Sequence, residues 1–263
     1  MTITFHSGNR IQGLSTDTVE TKSYTTDFSS STGWTSNDSS ITITGGQLSA
    51  TIIADNINHS MSYDYGSSIS NNPWVLRFKF NASSFSGSTI RWWIGLSDSN
   101  YTKSGGTAGN TQEFIGFFGI GDCSANAGSA DYDGAVLHSG SWDTNSAYTF
   151  STSTNYYFEI ARTSTTSYYV KVFSDSTYST LLKTWSGTVN STVDQLRYIV
   201  IRNELDIRSG SVVFTIDDLS LWYNVTSLTS KPTNVPTNSR FEETDTRKIY
   251  YLNAPILNDD FTS

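Results

Sequence analysis

The sequence predicts an all-β fold made of two packed antiparallel sheets, and three observations carry this prediction. No stretch has sustained apolar residues at i, i+3, i+4 and i+7, the spacing of an amphipathic helix. Short runs rich in β-branched and aromatic residues recur between clusters of turn residues. In several runs apolar and polar residues alternate, which indicates that each sheet has one buried face.

Strands are predicted at Ile41–Thr44, Gln47–Ile53, Trp74–Asn81, Thr89–Leu96, Glu113–Ile120, Ala135–Leu137, Asn155–Thr163, Ser167–Ser174, Leu181–Thr188, Gln195–Arg202 and Val212–Trp222. The alternation is clear in the third of these, where Leu76, Phe78 and Phe80 fall on one face. Gly45 and Gly46 separate the first two strands and predict a tight hairpin. This number of strands exceeds a typical open sheet and therefore favours two packed sheets.

The composition excludes two classes of partner. Only 15% of residues are charged, against roughly 25% in a typical soluble domain. The net charge is −8 and no Lys/Arg cluster is present, so we expect no nucleic-acid binding. No apolar run approaches the roughly 18 residues that cross a bilayer, so we expect no membrane insertion.

The cysteine content and the N-terminus bear on location. Cys123 is the one cysteine, so no disulfide framework is predicted. The segment from Met1 to Arg10 lacks the basic and apolar regions of a signal peptide. We therefore expect a protein of a virion or extracellular surface that is made and assembled in the cytoplasm.

The domain organisation follows from shifts in composition. Residues 24–224 are predicted to form the β-sandwich, preceded by an adaptor segment at residues 1–23. Residues 225–239 contain two of the four prolines and predict a linker. Residues 240–263 begin with the densest charge in the chain and predict a second, charged adaptor segment.

Residues 24–224 resemble the concanavalin A-like lectin/glucanase superfamily, in particular its laminin-G-like jelly-roll modules. The resemblance rests on Asp27-Phe28 with Gly33-Trp34, the pair Trp74–Phe80 and Ile90–Asp98, and the closing strand Phe214–Trp222. It implies a two-sheet antiparallel jelly-roll sandwich with short N- and C-terminal extensions. It implies no activity, because one fold hosts many functions.

The terminal segments resemble pieces of structural proteins of marine tailed viruses. The residues concerned are His6–Leu14 and the stretch from Lys231 to Tyr250. This resemblance implies a virion surface or fibre-associated module, whose terminal segments contact other copies of the chain or other virion proteins.

Catalytic motifs are not assembled in the sequence. Glucanases of the superfamily carry Glu-x-Asp-x-x-Glu on one strand, which places nucleophile and acid at the separation that hydrolysis requires. The nearest match here is Glu204-Leu-Asp206-Ile-Arg-Ser209, in which Ser209 replaces the last carboxylate. We therefore expect a non-enzymatic protein without a cofactor.

Carbohydrate binding is the main functional expectation. Sugars stack on aromatic rings and exchange hydrogen bonds with Asp and Asn side chains. The region Asp122–Asn145 offers such residues on what we expect to be loops, where function concentrates. The candidate residues are Trp142, Tyr132, Asp131, Asp143 and Asn145. For each residue alone, a role in capping the core is the alternative.

Calcium is the one metal for which the sequence offers ligands. Asp131 and Asp133 supply hard oxygen ligands at alternate positions, and Asp217 and Asp218 form a second candidate pair for a structural ion. The alternative is turn formation for the first pair and edge solubility for the second.

Together these observations predict a non-catalytic virion structural or fibre-associated protein with a lectin-like module that binds host-surface glycans. One alternative is a free carbohydrate-binding module or a cell-surface adhesin. The remaining alternative is a glycan-active enzyme with an unrecognised site.

Overall fold

The computed structural model describes a defined part of the chain. The described residues are 4–6, 10–13, 24–53, 57, 59–69, 72–100, 113–122, 129–138, 141–144, 148–190, 193–203, 210–224, 240–243, 249–253 and 256–258. Only the backbone is described in residues 87–91, 118, 120–122, 129–138 and 141–144, and in the strands before residue 24 and after residue 224. The predicted linker, Cys123, and the motif from Glu204 to Ser209 lie outside the described residues.

The described residues form strands and turns, with no helix among them. None of the described residues therefore forms a helix long and apolar enough to cross a membrane. In chain order the strands are β1 (Thr4–His6), β2 (Arg10–Gly13), β3 (Tyr24–Thr26), β4 (Trp34–Ser36), β5 (Ile41–Thr44), β6 (Gln47–Ile53), β7 (Ser60–Ile69), β8 (Trp74–Ser97), β9 (Phe114–Asp122), β10 (Ser129–His138), β11 (Ser141–Thr144), β12 (Tyr148–Ser151), β13 (Asn155–Ser164), β14 (Ser167–Phe173), β15 (Leu181–Thr188), β16 (Leu196–Asn203), β17 (Gly210–Tyr223), β18 (Arg240–Glu243), β19 (Ile249–Asn253) and β20 (Ile256–Asn258).

The chain divides into two compact units. One unit comprises residues 22–227 and is the sandwich; the other combines residues 1–21 with residues 228–263. The smaller unit is a five-stranded sheet in the order β1-β2-β18-β19-β20, in which β2 and β18 pair in parallel.

The sandwich consists of two antiparallel sheets. The first sheet has the order β5-β6-β17-β8-β13-β14-β15, and β3 also pairs with β17. The second sheet has the order β4-β7-β16-β8-β9-β10, with β11 and β12 both paired to β10. The architecture confirms the predicted all-β sandwich.

Strand β8 belongs to both sheets. Its first half pairs with β13 and β17, and its second half pairs with β9 and β16. Between the sheets lies an aromatic core in which Phe80 stacks on Trp92 at 5.1 Å between ring centroids and Phe78 stacks on Phe158 at 5.1 Å. Both halves of β8 thus supply side chains to one core.

Several strand predictions are confirmed, and those at Ile41–Thr44, Gln47–Ile53 and Leu181–Thr188 agree with the observed bounds. The separation of Trp74–Asn81 from Thr89–Leu96 is wrong, because β8 continues through both. Residues 82–88, which are rich in Ser and Gly and lie between the two predicted strands, belong to β8: the pairing with β17 continues to Gly87, and Ser88 pairs with β9. The hydroxyls of Ser86 and Ser211 are 2.7 Å apart across this pairing.

Two glycines bring β8 and β9 close together. Gly95 and Gly116 are directly opposite in the register of the second sheet, and the ring of Phe114 lies against both. A Cβ on Gly95 would lie 2.6 Å from the Cα of Gly116 and 2.8 Å from the Phe114 ring. These positions therefore have no room for a side chain.

We predict that Gly95→Ala lowers the free energy of unfolding by about 3 kcal/mol, because the new methyl group must displace backbone in a packed sheet. Urea unfolding followed by tryptophan fluorescence measures this change. The control is Ser84→Ala, an exposed position on the same strand, where we expect a change within about 0.5 kcal/mol. Equal effects of the two substitutions would contradict the close packing at Gly95.

Candidate functional site

The register of the second sheet places the predicted site residues on defined faces. Residues directly opposite one another in neighbouring strands share a face of the sheet, and the face changes at every residue along a strand. One row across the sheet is Ser97, Phe114, Leu137 and Trp142, from β8 to β11. Phe114 is buried but lies outside the central core cluster, so this row belongs to the face opposite the core, here called the outer face.

The register divides the five predicted sugar-binding residues. Asp131 is an even number of residues from Leu137 on β10, so it shares the outer face with Trp142. Tyr132 is in register with Gly119 and Trp92, and Trp92 is a core residue. Asp143 is in register with Val136 and Ile115, which also places it on the core-facing side. Asn145 lies outside the described residues.

The expectation that this region consists of loops is wrong for four of the candidates. Asp131 and Tyr132 lie within β10, and Trp142 and Asp143 lie within β11. Of these two strands the sequence predicted only Ala135–Leu137 in β10; the rest of β10 and all of β11 contain Gly, Ser and Asp, residues that are depleted in strands or favoured in turns. Pairing to β9 holds β10 in the sheet over residues 131–137.

The middle of the outer face is closed to a ligand. Trp93 and Phe114 are both completely buried, with ring centroids 5.3 Å apart in an edge-to-face arrangement. The guanidinium of Arg202 lies 4.6 Å from the centre of the Trp93 ring. Alternation does place Trp92 in the core and Trp93 on the opposite face, but neither ring is exposed for stacking.

The outer face of the first sheet carries a polar network near its centre. Glu159 is buried, and it accepts hydrogen bonds from Arg77 Nε at 2.7 Å and from the Tyr169 hydroxyl at 2.8 Å. The Arg77 guanidinium lies 3.9 Å from the centre of the Tyr178 ring, on the loop after β14. Burial beside the Glu159 carboxylate raises the pKa of Tyr169, so its hydroxyl stays protonated and donates. This network holds the face together.

The four calcium candidates are not brought into one ligand set. Asp131 and Asp133 lie on β10 of the second sheet, whereas Asp217 lies on β17 of the first. One carboxylate oxygen of Asp217 is 3.3 Å from Lys79 Nζ, and the other accepts the backbone N–H of Asp218 at 2.9 Å. Among the side chains that the structure describes, no group of three His, Cys, Asp or Glu could hold a metal ion. The calcium sites at Asp131 and Asp133 and at Asp217 and Asp218 both stay predictions.

A cluster of carboxylates that sequence analysis missed lies where β8 and β9 meet the segment before β16. The backbone N–H of Asp98 donates to the Glu113 carbonyl at 3.2 Å, and that of Asp194 donates to the Glu113 carboxylate at 3.1 Å. Desolvation raises the pKa of Asp98 and of Glu113, and neighbouring acidic groups raise that of Glu113 further. The residues are far apart in sequence, so no local motif marks them.

A second missed feature is an aromatic cluster at the β4 edge of the second sheet. Tyr24 and Tyr63 stack at 4.0 Å between ring centroids, and Trp34 Nε1 donates to the Tyr24 hydroxyl at 3.0 Å. All three side chains are partly exposed. In the sequence, the pair Gly33-Trp34 was the one part of this cluster that stood out. The structure shows why residue 33 is a glycine, because a side chain there would meet the Tyr63 ring.

The sandwich was compared with known proteins. No protein-family profile and no curated protein matches the sequence. Among solved structures, the CBM2 module of the evolved Dit of Lactobacillus casei BL23 phage J-1 is similar, with a TM-score of 0.51 and 14% identity over 78% of this chain and 96% of that chain. The exoplasmic/lumenal domain of VIP36, in its Ca²⁺/Man3GlcNAc-bound form, is similar with a TM-score of 0.50 and 9% identity, over 82% of this chain and 94% of that one.

These similarities define the class of the fold. The chain contains a lectin-type jelly-roll sandwich, which confirms the predicted fold class. At identities this low the likeness is one of architecture, and the resemblance of the terminal segments to viral proteins stays a prediction.

We predict opposite pH dependences for two kinds of carboxylate. The pKa values of Asp98 and Glu113 are raised in the folded protein, so their ionised forms lower its stability. This loss of stability disappears as pH falls towards the pKa values of the unfolded chain, about 4. The stability of Asp98→Asn relative to the unsubstituted protein should therefore be highest at neutral pH and should fall as pH is lowered to about 4. Thermal unfolding across this range measures the difference.

The matched control is Asp64→Asn. Hydrogen bonds from Arg197 lower the pKa of Asp64, so its ionised form stabilises the fold above the unfolded value, and this contribution disappears as pH falls below about 4. The same pH slope for both variants would contradict the assignment of the raised pKa to the Asp98 environment.

Proposed function

We propose that the sandwich is a non-catalytic carbohydrate-binding module and that its ligand contacts the β10–β11 end of the outer face of the second sheet. The observation that carries this proposal is the register of β11, which places Trp142 on that face at the last strand of the sheet path. Asp133 and Asp131 share the face on the neighbouring strand, four and six residues along it from Leu137, the partner of Trp142. An aromatic residue and hydrogen-bonding carboxylates on one face are the residue types that sugar recognition uses.

The remaining surfaces support this choice. Trp93 and Phe114 are buried in the middle of the same face, and the network of Arg77 and Glu159 occupies the centre of the outer face of the first sheet. The similar solved structures include a CBM2 module of a phage protein and a domain bound to Man3GlcNAc, which supports a glycan as the ligand class. The net charge of −8 favours a neutral glycan over a polyanionic one.

We further propose that the protein belongs to a virion surface or fibre, where glycan binding serves attachment to the host. The support is the resemblance of the terminal segments to viral structural proteins, together with the phage origin of one similar structure. The alternative is a free carbohydrate-binding module or adhesin. Detection of the chain in purified particles by mass spectrometry tests this proposal, and its absence from them would favour the alternative.

We predict that Trp142→Ala weakens binding to a glycan identified on an array by about 30-fold, because an aromatic anchor at a binding site contributes about 2 kcal/mol. Calorimetric titration measures the change. Asp143→Ala is the matched control, since it alters the next residue on the core-facing side of the same strand. Equal losses in the two variants, or none at Trp142→Ala, would remove this face as the binding site.

The enzyme alternative has its own test. A glycosidase needs a carboxylic acid with a raised pKa, so that it can donate a proton to the leaving group. Among the described carboxyl groups, those of Asp98 and Glu113 have raised pKa values. Release of reducing ends from a bound polysaccharide, abolished by Glu113→Gln, would support catalysis. Binding without such release supports the non-catalytic module.

A further inference from the structure

The two sheets of the sandwich end in strands of different length. β4, β5, β11 and β12 lie at sheet ends and have three or four residues each. β15, the last strand of the first sheet, has eight residues and, among the described strands, pairs with β14 alone. The edge of such a strand is a template on which another chain can add a strand, and short edge strands reduce this hazard. β15 is therefore the sheet end at which unwanted pairing has to be prevented.

Half of the backbone groups of β15 point away from its partner strand. In an antiparallel pair, hydrogen-bonded residues alternate with residues whose N–H and C=O groups point outward. Directly after β15, the N–H of Val189 donates to the Thr166 carbonyl at 2.9 Å, which fixes this alternation. Thr184, Ser186 and Thr188 are an odd number of residues from Val189, so their backbone groups are directed outward. The side chains of all three are exposed.

The composition of Leu181–Thr188 favours pairing with another strand. Leu181 and Leu182 are two of the four large apolar side chains that are exposed among the described residues, at 51% and 37%. The segment has no proline, and Lys183 is its one charged residue. Apolar and β-forming segments of low charge without proline are the ones that pair with other chains. The charge of Lys183 is therefore the feature of this composition that opposes pairing.

Lys183 lies on the side of β15 that faces the core. It is opposite Val172, which is completely buried in the core. Its Nζ lies 5.7 Å from the centre of the ring of Trp185, which is buried next to Phe117 of the second sheet. The Lys183 side chain is partly exposed, because a lysine on the last strand can extend past the edge and keep its charge in water. A strand added at this edge would cover that route.

The start of β15 carries a second obstacle to pairing. Val172 of β14 is opposite Lys183. The next residue, Phe173, is opposite Leu181, so Leu182 is an extra residue in a β-bulge. A bulge interrupts the regular spacing of backbone groups along an edge. The two exposed leucines thus lie where the ladder is irregular, and the regular part of the edge begins at Lys183.

We propose that Lys183, on the core-facing side of the last strand, prevents other β-strands from pairing with the first sheet, the β15 strand of a second copy included. An added strand would have to bury the ammonium group, and burial of a charge strongly opposes association. This role does not depend on glycan binding, whose candidate residues lie on β10 and β11 of the second sheet.

Removal of the charge tests this role. Lys183→Met keeps the length of the side chain, and sedimentation velocity at micromolar concentration should show self-association about 100-fold tighter than that of the unsubstituted chain. Lys183→Arg keeps the charge and should sediment as the unsubstituted chain does. Equal sedimentation of Lys183→Met and the unsubstituted chain, or tighter association of Lys183→Arg, would overturn the proposal.

A proline at an outward-facing position separates edge pairing from aggregation of a misfolded variant. Ser186→Pro removes an N–H that points away from β14, which a strand at a sheet edge tolerates. In the Lys183→Met background it should restore the sedimentation of the unsubstituted chain, whereas aggregation through misfolding would persist. Equal association of the double variant and of Lys183→Met would contradict pairing at β15.

Amide hydrogen exchange locates the association on the strand. The N–H groups of Thr184 and Ser186 should exchange about 10-fold more slowly in Lys183→Met than in the unsubstituted chain, because they gain partners in the added strand. Unchanged exchange at these two amides in an associated Lys183→Met protein would place the contact elsewhere and overturn the proposal.

Discussion

The structure of the sandwich depends on one constraint, the continuity of β8 through both sheets. Its 24 residues run from the centre of the first sheet to the centre of the second, so the two sheets cannot slide independently. The stacking of Phe80 on Trp92 joins the two halves of this strand across the core. A shift of one residue in either half would exchange its core and outer residues and thereby expose this stack.

The outer faces of the two sheets are packed in different ways. The first sheet buries a charge there, and the Glu159 carboxylate is tolerated because Arg77 and the Tyr169 hydroxyl satisfy it. The second sheet uses close backbone approach at Gly95 and Gly116, over which Phe114 packs. Both arrangements lie near the middle of their sheets, whereas β11 lies at the end of the second sheet.

The sequence predicts well those parts of the fold in which local patterning and burial agree. The hairpin of β5 and β6 and the alternating strand starting at Trp74 are of this kind, and both have the expected elements. Strand β7 was missed because its Ser, Tyr and Asp residues show no clear alternation, and its pairing with β16 defines it. Long-range register decides which of Trp142 and Asp143 lies on the outer face. It also decides that Asp98, Glu113 and Asp194 lie close together. A single sequence does not reveal this register.

The parallel pairing of β2 with β18 makes the sandwich an insertion within another sheet. Within the sandwich, Tyr24 on the first strand is opposite Leu221 near the end of the last, so the points of entry and exit are neighbours. An insertion whose ends lie close together adds little closure entropy to the sheet that hosts it. Residues 22–227 therefore form a cassette, and another β-sandwich with adjacent ends could replace it while the terminal sheet keeps its register.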